Sequence, residues 1–109
     1  MASTYKVLGQ SNPSATTLTD AYTVPGATEA IVSSITVCNR SVTPTKFRIA
    51  IAPAGALDDV KHYIAFDAPI EANEVWCFTA GLTLATTDVV RVYATLATLS
   101  FNVFGEELT

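Results

Sequence analysis

The stretch Ile31–Arg40 (IVSSITVCNR) constrains the fold of this chain more than any other. Successive side chains of an extended strand point to opposite faces of a sheet. Ile35 and Val37 therefore lie on one face together with Asn39, and the residues between them, Cys38 included, lie on the other. This alternation predicts a central β-strand.

Comparable stretches recur along the chain, separated by turns rich in Pro, Gly, Asn and Asp; they lie near residues 5–8, 16–24, 47–51, 62–66, 75–80, 89–94 and 99–104. Their spacing of about 8 to 12 residues, without any sustained helical period, is typical of an all-β sandwich. We predict a single antiparallel β-sandwich, jelly-roll-like, with roughly seven to nine strands. Residues 1–15 are expected to form an N-terminal arm or edge strand, and residues 16–109 the sandwich domain.

The composition fits a folded chain that packs against other subunits. Half of the 109 residues are hydrophobic and 15% are charged, so a monomer would expose an unusually apolar surface. The net charge of -4 and six dispersed Lys and Arg residues give no basic stripe, so we expect neither nucleic acid nor a membrane as partner. The sequence has neither a membrane-length apolar run nor a signal-peptide pattern, which leads us to expect synthesis in a cytoplasm.

The nucleophilic and metal-binding residue types are sparse. His62 is the only histidine and has no ligand cluster around it, so we expect it to be structural or to lie on the surface. Cys38 and Cys77 lie within apolar strand patterns, which favours reduced, buried thiols over a disulfide or a zinc pair.

Two acidic pairs, Asp58–Asp59 and Glu71–Glu74, lie in predicted turns. Acidic side chains in turns are commonly solvated or cap the backbone, and neither pair has the ligand spacing of a calcium loop. We therefore predict no catalytic, metal-binding or cofactor-binding residue, and a chain that is not an enzyme.

Aromatic and arginine side chains remain as candidates for recognition. Trp76 and Phe78 are expected to pack in the core, with a ligand-stacking platform as the alternative. Arginines within apolar strands must reach solvent, a carboxylate or another subunit, and the short apolar pattern near the N-terminus could reach a neighbour. The predicted interface residues are Tyr5, Val7, Leu8, Arg40, Arg48 and Arg91.

Taken together, six segments resemble small all-β virion structural proteins of tailed bacteriophages. They are Tyr22–Gly26 (YTVPG), Val37–Ser41 (VCNRS), Phe47–Gly55 (FRIAIAPAG), His62–Asp67 (HYIAFD), Asp88–Ala94 (DVVRVYA) and Phe101–Gly105 (FNVFG). The resemblance is one of general pattern and covers nearly the whole chain.

The resemblance implies a building block of a virion. The preferred expectation is a capsid cement or decoration protein, a homotrimer that binds the major capsid protein on the outer head surface and bridges capsid subunits. A tail, neck or baseplate accessory subunit is the first alternative. The second is a host-glycan-binding module in which Trp76, Tyr63 or Tyr93 stacks on a sugar.

Overall fold

The computed structural model describes residues 2–109 and shows two four-stranded antiparallel sheets packed face to face. This confirms the predicted all-β sandwich, with eight strands in the described residues. The strands are β1 (Ser3–Ser11), β2 (Thr19–Thr23), β3 (Glu29–Asn39), β4 (Thr45–Ala52), β5 (Tyr63–Ile70), β6 (Val75–Leu84), β7 (Val89–Ala94) and β8 (Leu99–Leu108). Two short 3-10 turns, Pro53–Gly55 and Val60–His62, lie between β4 and β5.

The strand order is nested. The first sheet has the order β1-β8-β3-β6 and the second has the order β2-β7-β4-β5. Each strand of the first half therefore pairs with its counterpart in the second half: β1 with β8, β2 with β7, β3 with β6, and β4 with β5. The predicted central position of β3 is confirmed, because it lies between β8 and β6.

The alternation read from β3 is also confirmed. Ile35, Val37 and Asn39 are buried between the sheets, whereas Thr36 and Cys38 are only half-buried on the outside. Inward-facing side chains from both sheets meet in one core, as the alternation of half-buried strands requires.

Aromatic rings connect the two sheets. Phe47 of β4 meets Phe101 of β8 edge to face, with ring centroids 6.1 Å apart, and meets Trp76 of β6 at 4.9 Å. Phe78 stacks on Trp76 at 5.7 Å. Core packing is thus confirmed for Trp76, although both β6 rings stay half-buried because β6 is the edge of its sheet.

Two strands are longer than the sequence indicates. The stretch predicted to end or to bulge at Gly81 is one strand, Val75–Leu84, which continues through a bulge in its pairing with β3. Likewise β8 does not end at Gly105 but runs on to Leu108. A Cβ at position 105 would lie 2.0 Å from the carbonyl oxygen of Ile31, so this glycine permits close strand packing and is not a terminator.

The predicted burial of both cysteines is wrong. Cys38 is half-buried and Cys77 is exposed, and both thiols are free. The physical reason is the alternation itself: Cys38 falls between buried Val37 and Asn39, and Cys77 pairs with outward-facing Thr36.

Candidate functional site

The outer face of the first sheet is large and carries few charges. The register of the strands places its apolar members on one side; they are Tyr5 and Val7 of β1, Ile31 of β3, Val75 of β6, and Phe104 and Leu108 of β8. Most of the remaining outward positions hold small polar or thiol side chains, namely Ser34, Thr36, Cys38, Cys77, Thr79, Thr83, Ser100 and Asn102. We call this surface the first-sheet face.

Its only outward carboxylates, Glu29 and Glu106, lie at one end of the described sheet, and no outward Lys or Arg accompanies them in the strands. Tyr5 is 81% exposed and Val75 is 63% exposed. A shallow open depression lies between Tyr5, Ile31 and Phe104. Tyr5, Ile31 and Phe104 thus form one apolar patch around Glu106, whereas Val75 lies at the opposite edge beyond small polar side chains. An exposed apolar patch is typical of sites where another protein docks.

The outer face of the second sheet carries a more polar cluster around Arg48. Its Nε donates to Oδ1 of Asp67 at 2.7 Å. The guanidinium carbon lies 4.1 Å from the ring centroid of Phe66 and 4.4 Å from that of Tyr93, so the cation is held between two aromatic rings. Tyr63 contacts Phe66 edge to face at 5.0 Å. We call these five residues the Arg48 cluster.

A bulge in β5 assembles this cluster. Phe47 of β4 pairs with Ala68 and Ile49 pairs with Ala65, which leaves Phe66 and Asp67 together opposite Arg48. Asp67 has a φ of 50°, a conformation that Asp tolerates better than most residues. The sequence indicates a turn at Asp67 but gives no sign of its pairing with Arg48, because that pairing depends on the register between two strands.

The cluster keeps both of its charges at neutral pH. The hydrogen bond from Arg48 holds the pKa of the Asp67 carboxyl below its ordinary value. The same bond raises the pKa of Arg48. Phe66 is nevertheless 56% exposed, and an Arg with exposed aromatic neighbours is the composition found at protein-binding hot spots.

The predicted interface residues lie in different places. Tyr5 and Val7 come together on the first-sheet face, whereas Leu8, at the bulge that follows Val7, turns into the core. Arg40 donates to the carbonyl oxygen of Ala97 at 3.2 Å. Arg91 pairs with Asp20 of its own chain at 2.9 Å and also donates to two carbonyl oxygens, those of Gly55 and Ala56. The participation of these residues in an interface stays a prediction.

A polar contact that the sequence does not reveal closes one side of the sandwich. The hydroxyl of Tyr22 in β2 donates to Oε2 of Glu107 in β8 at 2.6 Å, and Nζ of Lys6 lies 3.2 Å from Oε1. The hydrogen bond from Tyr22 lowers the pKa of Glu107, and burial raises the pKa of Tyr22. In the sequence, Glu107 lies beyond the last predicted stretch, 99–104, and no local signal shows that it faces inward.

One member of each acidic pair binds the backbone, as predicted for acidic residues in turns, whereas Asp58 accepts from the hydroxyl of Tyr63 at 3.0 Å. Asp59 accepts from the backbone N–H of Lys61 at 3.1 Å, and Glu74 accepts from that of Glu71 at 3.1 Å. His62 is buried at 7% exposure, which fits a structural role. Within residues 2–109, no group of three or more His, Cys, Asp or Glu side chains is placed to hold a metal ion.

The described chain contains no helix long and apolar enough to span a bilayer. The functional proposals below rest on two surfaces, the first-sheet face and the Arg48 cluster. Comparison with known protein families, with curated proteins and with solved structures finds no match for this chain.

Proposed function

We propose that this protein is a non-enzymatic structural subunit of a bacteriophage virion, a capsid cement or decoration protein that binds the outer head surface. The observation that carries the proposal is the first-sheet face, a broad sheet surface with exposed Tyr5, Val7 and Val75 and with carboxylates only at one end. Such a face is suited to docking on a protein lattice.

The nested strand pairing supports the same proposal. Eight strands in two sheets, wound so that β1 pairs with β8 and β4 with β5, fit a jelly roll, the architecture of many viral capsid domains and also of lectins. A fold by itself does not determine function, so the surfaces must decide between these two classes.

The proposed mechanism is cohesion. Each copy docks its first-sheet face on the major capsid protein, and contacts among copies, expected to number three around a local axis, join neighbouring capsid subunits. Linked copies rebind at a high effective concentration, so modest individual contacts add up to a durable bridge. Low surface charge suits this task, because desolvating a charge without pairing it costs free energy.

Immunogold electron microscopy of intact virus particles tests where on the virion the protein lies. We expect gold-labelled antibody against the protein to decorate the outside of the heads. Labelling confined to tails, necks or baseplates would reject the head assignment and favour the accessory-subunit alternative. Unlabelled particles would reject a place on the virion surface.

Glycan binding is a second candidate, favoured by the Arg48 cluster. Tyr63, Phe66 and Tyr93 surround Arg48 on an exposed face, whereas Trp76 is half-buried against the core and is less available for stacking. Binding on a glycan array that Phe66→Ala abolishes, with the circular dichroism spectrum unchanged, would support this function. Failure of the wild-type protein to bind any glycan would remove it.

A further inference from the structure

The two edge strands of the first sheet are longer than those of the second sheet. β1 has 9 residues and β6 has 10. In the second sheet, β2 has 5 residues, and β5 contains Asp67 at a bulge and Pro69. Bulges, charges and prolines keep sheet edges from pairing with other chains, so we expect the edges of the second sheet to stay unpaired.

The edges of the first sheet each contain one bulge, after Val7 in β1 and between Thr79 and Leu82 in β6, but residues 3–7 and residues 75–79 form regular, unbulged stretches. Val75–Leu84 contains neither a charged residue nor a proline. β1 contains one charge, Lys6, which is paired with Glu107 in the same chain. Each strand hydrogen-bonds to a neighbour on one side only, which leaves the backbone groups of its other side facing outward.

The strand directions allow the two edges to meet head to tail. β1 is antiparallel to β8, β8 to β3, and β3 to β6, so β1 and β6 run in opposite directions. β6 of one copy can therefore pair antiparallel with β1 of a second copy that has the same orientation relative to the sheet. A contact between two different surfaces repeats from copy to copy; it closes into a ring when the rotation between copies closes and otherwise extends as a filament.

The side chains along the two edges also match. Outward Tyr5 and Val7 of β1 would lie on the same side as Val75 and Cys77 of β6, and these positions are exposed in the single chain. On the inward side, Trp76 and its neighbour in the stack are half-buried and would gain cover. Cross-strand apolar pairs of this type stabilise sheets.

We propose that β6 of one copy pairs with β1 of the next copy of this chain, so that the first sheet continues through a closed homo-oligomeric ring. The two pairing surfaces, the free edges of β1 and β6, follow from the sheet topology. Only the expected number of copies, three, rests on the proposed function. The ring removes both free edges of the first sheet.

Cross-linking tests the pairing in the full-length protein. In a Cys38→Ser background that keeps Cys77, Tyr5→Cys or Val7→Cys places a thiol on the outward side of β1, and a short bismaleimide is added. We expect cross-linked species up to the trimer from at least one of these variants. Leu57→Cys, in an exposed loop, is the matched control and should stay uncross-linked.

Two results would overturn the pairing. The Cys38→Ser variant with Cys77 as its single thiol should not cross-link, and a covalent dimer from it would show a twofold β6–β6 contact instead. Cross-linking from neither β1 variant would equally contradict a β1–β6 contact.

Light scattering supplies an independent readout. We expect the wild-type protein to elute as three copies of the 11.5 kDa chain and Val75→Lys/Thr79→Lys to elute as one copy. Thr17→Lys/Leu57→Lys adds the same charge in loops and should stay trimeric. A monomeric wild type, or a trimeric Val75→Lys/Thr79→Lys variant, contradicts the pairing. If light scattering shows the ring but antibody against the protein does not label virus heads, the proposed function is contradicted and the β1–β6 pairing is not.

Discussion

Asn39 shows how one buried polar side chain organises the end of a sheet. It is 1% exposed, its amide donates to the carbonyl oxygens of Thr43 and Glu71 at 2.9 and 3.1 Å, and its carbonyl accepts from the backbone N–H of Ser41 at 3.1 Å. Three backbone groups of two separate loops therefore depend on one residue. Buried backbone groups that lose their partners are costly, which explains an amide at an otherwise apolar inward position.

We expect Asn39→Ala to lower the free energy of unfolding by about 3 kcal/mol, because three hydrogen bonds at about 1 kcal/mol each are lost. Urea denaturation followed by tryptophan fluorescence measures the change. Asn102→Ala, which removes one exposed hydrogen bond to Gln10, is the matched control and should cost less than about 1 kcal/mol. Equal effects of the two substitutions would show that Asn39 does not organise the loops.

Glu107 makes the stability of the sandwich dependent on pH. Its pKa in the folded chain lies below the ordinary value of 4.5, because Tyr22 and Lys6 bind the ionised carboxylate. The stabilisation is therefore complete above pH 4.5 and is lost as the pH falls through the folded pKa.

We expect Glu107→Gln to lower stability at neutral pH and to flatten the decline in stability on acidification, as measured by urea denaturation across the acidic range. Tyr22→Phe should act in the same direction, since it removes the first cause of the lowered pKa. Glu71→Gln alters an exposed turn residue and serves as the control. If stability declined on acidification in the Glu107→Gln variant as it does in the wild-type protein, Glu107 would not be the cause of the pH dependence.

At the scale of the strands, two glycines permit close approaches that side chains would block. A Cβ on Gly105 would lie 2.0 Å from the carbonyl oxygen of Ile31, and a Cβ on Gly9 would lie 2.1 Å from that of Ala21. The first contact fits β8 against the bulged part of β3, and the second brings β1 onto β2. Glycine is needed at both places because the clashing atoms belong to the backbone and cannot swing aside.

Gly105→Ala should therefore destabilise the fold by about 3 kcal/mol or more, since the strands must separate to accept the methyl group. Thermal unfolding followed by circular dichroism measures the loss. Gly81→Ala is the matched control, because a Cβ there meets no atom within 4 Å. If both variants unfolded at the same temperature, close strand packing at Gly105 would not be required.

The sequence predicts strands better where they are central than where they are edges. β3 and β7 are flanked by strands on both sides, so their β-branched residues report burial directly. β5 is a bulged edge, and its burial does not follow the residue types, because Ile64 and Phe66 are exposed while Ala65 and Asp67 are half-buried. The pairing of Arg48 with Asp67 and that of Tyr22 with Glu107 join distant segments, and such pairings depend on a register that no local pattern encodes.

At the scale of the whole molecule, the two sides of the sandwich differ. One side is closed, where Gly9 of β1 approaches Ala21 of β2 and Glu107 binds Tyr22. The other side, along β6, exposes an uncharged strand edge and the half-buried Trp76 ring. In the proposed ring this β6 edge pairs with the other free edge of the first sheet, that of β1, in the next copy.

A cryo-electron-microscopy reconstruction of the intact virus head tests the central claim most directly. The account predicts density for this sandwich on the outside of the head, with Tyr5, Val7 and Val75 of the first-sheet face turned towards the major capsid protein. Heads that carry no such density, or a sandwich docked through the Arg48 cluster with the first-sheet face open to solvent, would contradict it.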